Sequence, residues 1–193
     1  MHNFGDTMNH LLVNVLESAR EYEYAEEALS RAQASGVWDS EAKTAKRKAA
    51  ELAIAIDGLA DRAAHESKQK IGDIRKAVSA LCILPGSQHL RPESLERVGG
   101  VANAYKHSIL DDRRHPIDSF ESVLTVGLGY GLDGFGVGKF GGVEVITKDK
   151  TGESWKFLGD APTAISAWLR FLLNNGAKAP AGPISVCGIQ IYP

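Results

Sequence analysis

Leu12, Val15, Ala19, Tyr22 and Leu29 recur at spacings of three and four, which predicts one buried helical stripe across residues 7–33. Glu26 alone interrupts that stripe. The segment Ser-Gly-Val-Trp-Asp-Ser at 35–40 breaks it, and Ser40 is placed to cap a second helix. The next stripe runs Leu52, Ile56, Leu59, Ala63 and then Ile71, Ile74, Val78, Leu81. Between the two halves the polar run His65–Lys70 shifts the phase by one residue, so a break near Ser67 is expected. An unbroken helix over 41–83 would be about 64 Å long, against a diameter of roughly 42 Å for a globule of this size. A long hairpin of that kind would have to pair with another copy.

Residues 84–92 contain two prolines and read as a connector. Leu95, Val98, Ala102 and Tyr105 then mark another helix, with Gly99 and Gly100 allowing a close neighbour. From Phe120 the apolar period changes to two. Residues 122–131 and 141–160 alternate as strands, with a turn at 148–153. A helix follows, with Asp160 as its cap, Pro162 in its first turn, a face of Ile165, Trp168, Leu169 and Leu172, and Gly176 past its end. The tail from Ile184 to Ile191 returns as a last strand. The expected fold is α+β: an N-terminal helical bundle or long helical hairpin over 1–118, then a glycine-rich region over 119–193. That second region holds a small antiparallel sheet with one packed helix, resting on the helical part.

Composition narrows the function classes. Residues 1–118 carry 16 basic and 18 acidic groups and residues 119–193 six of each, so no basic excess marks a dedicated nucleic-acid binder. Cys82 and Cys187 form no spacing motif, which suits free thiols in a reducing cytoplasm. The first twenty residues lack the basic start and apolar run of a signal peptide or a membrane span. The basic run at 43–48 lies between Glu41 and Glu51 and reads as a solvated face.

Half of residues 127–142 are glycine. Gly129–Gly134 matches G-x-G-x-x-G, but more glycine follows where a dinucleotide site needs a helix. Gly136–Val143 matches the kinase glycine loop, yet neither HRD nor DFG follows. Glycine instead alternates with Leu128, Tyr130, Leu132, Phe135 and Val137, the pattern of a hairpin with one bare face.

The densest chemistry is at 102–116. Asn103 and His107 share a helix face, which Asp111 and His115 extend if the helix continues. No HExxH or CxxC accompanies them, so no metal and no cofactor are assigned. Asn103, Lys106 and His107 are the candidate catalytic residues, with Arg113 and Arg114 as phosphate-binding partners: cations hold a phosphate while a His moves a proton near neutral pH. Helical prokaryotic nucleases of the HEPN class carry an Arg, four to six residues, then a His; this chain resembles them weakly through Arg97 and His107, which have nine residues between them. Ala102, Asn103, Lys106 and His107, with the later Trp168, more closely resemble uncharacterised bacterial and phage proteins. Those proteins have a helical N-terminal half, an A-N-x-x-K-H helix, and then strands and a late helix. No activity comes with that resemblance.

The sequence reading is a non-catalytic cytoplasmic interaction or assembly module that self-associates through its helices, with a protein partner favoured over nucleic acid and no membrane. One alternative is a metal-independent RNase of a toxin or phage-defence type using Lys106 and His107. Another is a nucleotide-phosphate binder at the glycine-rich stretch. His107 itself is expected to be mostly buried at the flank of its helix, bonded to a loop from the β half.

Overall fold

The computed structural model describes residues 4–107, 116, 117, 119–127 and 143–193. The expected α+β architecture is what it shows. Helix α1 (Gly5–His10) passes through a π-helical turn at Leu11–Val15 into α2 (Leu16–Ala34). Val15, Ala19, Tyr22 and Leu29 are buried along it as the stripe requires, whereas Leu12 is only partly buried and its neighbour Leu11 is the one in the core. Glu26 is buried too, because it serves the sheet: its Oε1 accepts the Tyr22 hydroxyl proton and the Val145 backbone N–H, the latter at 3.0 Å.

Helix α3 (Asp39–Ser67) folds back on α2, and α4 (Ile71–Ser79) begins after a sharp break. Ser67 Oγ donates to the Ala63 carbonyl at 2.7 Å, and Lys68 then adopts a left-handed φ of 59°. The phase slip in the apolar stripe marked this stop correctly. Ser40 lies inside the first turn of α3 rather than capping it; Trp38 occupies the cap position with no side-chain bond.

Helix α5 (Ser94–Lys106) packs against both α3 and α6 (Phe157–Asn174), with Gly99 and Gly100 buried on it. Strands β1 (Val123–Gly127), β2 (Val143–Lys148) and β3 (Ser154–Lys156) form an antiparallel meander over α2, and β2 is buried on both faces. The C-terminal segment is a hairpin rather than one strand. Its strands β4 (Ile184–Val186) and β5 (Ile189–Tyr192) turn at Cys187 and Gly188, both with positive φ.

One apolar core runs through both halves of the chain. Phe4 meets Phe171 edge-on at 5.7 Å, Trp168 meets Phe171 at 5.8 Å, and Tyr22 meets Phe157 at 5.2 Å. The first and last helices thus share aromatic contacts. No helix among the described residues is long and apolar enough to cross a membrane.

Candidate functional site

A cleft of about 1090 Å³ opens between α3, α4, α5 and the 80–93 connector. On α4, Ile74 and Val78 are buried in the core and Arg75, Lys76 and Ser79 border the opening, while Ile71, expected on the buried stripe, sits at the start of the helix and is exposed to the opening as well. Asp57 and Asp61, one turn apart, come from α3; Leu95, Glu96, Asn103 and His107 come from α5.

Two of the expected site residues, Asn103 and His107, line one cavity, although only Asn103 is on the helix. Asn103 Nδ2 donates to the Gly99 carbonyl at 2.9 Å on its own helix. His107 follows the last helical residue in an extended conformation, and its backbone N–H donates to the Asn103 carbonyl at 2.9 Å. The ring is exposed, not buried as expected, because the helix ends just before it. Lys106 points to Asp57 at 3.9 Å, and Asp57 also accepts from Arg75 Nη2 at 2.7 Å. Asp57 is thus held between cations from two other helices. The candidate residues Arg113 and Arg114, with Asp111 and His115, lie outside the described residues, as does the glycine stretch at 128–142.

Cys82 also lines the cleft but offers no nucleophile. Burial pushes its thiol up to about 12, so it stays protonated at neutral pH. Among the described residues, no group of three His, Cys, Asp or Glu side chains is arranged to hold a metal ion.

Behind the cleft is a buried ionic knot that the sequence did not announce. Asp160 is fully buried and accepts from Arg97 Nε and Nη2, both at 2.7 Å, from Arg91 Nε at 2.8 Å and from Ser94 Oγ at 3.0 Å. The Trp155 ring covers both guanidinium groups, with Arg97 Cζ 4.0 Å from its centroid. Asp160 is therefore not a cap: α6 starts three residues earlier, and the carboxylate ties that helix to α5 and the connector. Arg97, the arginine of the HEPN comparison, is committed to this knot and sits about 15 Å along the helix axis from His107. A charged pair placed sixty residues apart leaves no local trace; the only available signal was an arginine on an otherwise apolar helix face.

Two cations of the basic run at 43–48 are paired in place. Lys48 bonds Glu21 and Glu51 at 2.7 Å each, bonds that raise its pKa, and Arg47 pairs with Glu51 at 3.8 Å. Lys46 lies over the Phe120 ring at 4.8 Å, partly buried, and that burial lowers its pKa.

Comparisons of this chain with protein-family models, with curated proteins and with solved structures find no match.

Proposed function

We propose that this protein is a non-catalytic interaction module that takes a segment of another polypeptide into the cleft between α3, α4 and α5. The observation that carries this is the pairing of Leu90 and Ile71. Leu90 is 68% exposed and Ile71 41%, and both line the same opening. Single exposed apolar side chains need no explanation, but two at one concave site beside Leu95 and Pro92 form a surface suited to a protein partner. Because α3 stops at Ser67 and α4 starts at Ile71, no single helix over 41–83 demands a second copy. A second copy remains one of the partners to be tested.

The test is photocrosslinking in the cell of origin, with a photoreactive amino acid in place of Leu90. The expected result is one crosslinked polypeptide, lost when Ile71→Asp is added. A crosslink to the same chain would identify self-assembly through the cleft. No crosslink to any polypeptide would sink the reading.

The exposure of His107 favours a second reading, the metal-independent RNase. A solvent-open imidazole beside Asn103 and Lys106 is what proton transfer to or from an RNA would require. The lining argues the other way, since Asp57, Asp61, Glu93 and Glu96 outnumber Arg75 and Lys76 and repel a phosphate backbone. The RNase reading expects RNA cleavage and growth arrest from the wild type, and neither from His107→Ala.

A further inference from the structure

We infer that the occupant of the cleft is an amphipathic helical segment that carries Lys or Arg beside its apolar residues. This rests on the docking reading above and specifies the partner's chemistry. Charge is the first argument. Asp57 is matched by Arg75 and Lys106, which leaves Asp61, Glu93 and Glu96 in the lining against Lys76. Asp61, Glu93 and Glu96 make no ion pair among the described residues. Glu96 moreover keeps one carboxylate oxygen out of solvent with no hydrogen-bond partner. An arriving cation answers all three, whereas a phosphate or an acidic peptide adds to the repulsion.

Shape is the second argument. The walls are three helices and a connector whose strand-like pairing, among the described residues, is the single Ile83–Leu90 bridge, so an extended peptide finds little backbone to pair with. The volume, about 1090 Å³, lies above the range of roughly 300–1,000 Å³ for small-molecule sites. Leu90 and Ile71 stand in the open rather than in an enclosed floor. A groove between helices with apolar rims and acidic flanks accepts a helix whose apolar face meets Leu90, Ile71 and Leu95 and whose basic flank meets Asp61 and Glu93. A bare metal ion is a poorer fit, because no three-ligand cluster is present among the described residues.

The experiment uses the full chain and two labelled probes followed by fluorescence anisotropy. One is an amphipathic helical peptide of repeating Leu-Lys-Lys-Leu-Leu-Lys-Leu; the other is the same peptide with every Lys replaced by Glu. The Lys peptide is expected to bind and the Glu peptide not to. Leu90→Asp should weaken the Lys peptide by roughly tenfold or more, through loss of a buried leucine contact. The double variant Asp61→Lys, Glu93→Lys should weaken it by about tenfold and let the Glu peptide bind instead. All three positions are exposed, so circular dichroism of the variants should match the wild type. Equal binding of both peptides at a site sensitive to Leu90→Asp overturns the charge inference while leaving the docking reading intact. Binding of the Lys peptide that ignores these substitutions, or its displacement by equimolar spermine, overturns it as well. Failure of both peptides to bind overturns it too; photocrosslinking at position 90 then decides separately whether any polypeptide docks there.

Discussion

Asp160 and His107 exchange the roles that their positions in the sequence suggest. The aspartate at the head of a helix holds the interior together, and the histidine just past the end of one stands in solvent. Two consequences follow. Asp160→Ala would leave the guanidinium groups of Arg91 and Arg97 buried without their counter-charge, so it should cost about 3–5 kcal/mol in urea unfolding. His107→Ala removes an exposed ring that makes no side-chain hydrogen bond among the described residues, and its stability should stay within about 0.5 kcal/mol of wild type. A Tm far below that of wild type would restore a structural role for His107. Asp149 supplies a pH signature. Burial pulls its carboxyl up, but bonds from the Thr151 hydroxyl, the Trp155 indole and the backbone N–H groups of Thr151 and Glu153 outweigh it, leaving the pKa below its ordinary 3.8. The stabilisation is therefore complete above about pH 4 and is lost as pH falls through the lowered folded value. Asp149→Ala should cost about 1–2 kcal/mol at neutral pH, and the gap to wild type should close in acid. A gap that stays constant from neutral pH into acid would mean that the carboxylate bonds are not its source.

At the scale of elements, the helices were legible wherever an apolar stripe ran at a constant phase, and the stop at Ser67 was legible because the phase slipped. The π turn at Leu11–Val15 was not, since its residues keep the same buried side as the helix around them. The C-terminal hairpin was missed because Cys187-Gly188 is not one of the dipeptides that announce a two-residue turn, and Cys187 must itself take a φ of 51°. The candidate site was half legible. The spacing puts Asn103 and His107 near each other, and both line the cleft although His107 lies past the helix end; the walls around them are built from Asp57, Arg75 and Leu90, which only packing brings together. The break between α3 and α4 offers a test whose sign depends on the geometry. Lys68 occupies a left-handed conformation that glycine adopts without strain, so Lys68→Gly should raise stability by about 0.5–1 kcal/mol. In a continuous helix the same change would lower stability by about as much. Equilibrium denaturation distinguishes the two.

For the whole molecule, the change of period near residue 119 divides the chain into a helical and a strand-rich part, yet the burial does not follow that line. Glu26 of α2 receives the Val145 N–H of β2. Asp160 of α6 receives Arg91 and Arg97 from the helical part, and Phe4 near the N-terminus packs on Phe171. Each contact places a polar or aromatic group from one part in the interior of the other. A chain cut at residue 118 would strip Phe4 and Tyr22 of Phe171 and Phe157, Glu26 of the Val145 N–H, and Arg97 of the Asp160 carboxylate. Such a fragment should not fold by itself, because an unpaired buried charge alone costs several kcal/mol of a net stability of roughly 5–15 kcal/mol. The intact chain should then unfold in one step. Trp38, Trp155 and Trp168 report from the α2–α3 corner, the ionic knot and the aromatic core, so tryptophan fluorescence samples both parts while far-UV circular dichroism mainly follows the helices. The two signals should give coincident urea transitions, and Asp160→Ala should shift both by the same amount. Separated transitions, or a 1–118 fragment with native helicity and a cooperative melt, would show that the parts stand alone and that the shared core contributes little to holding them together.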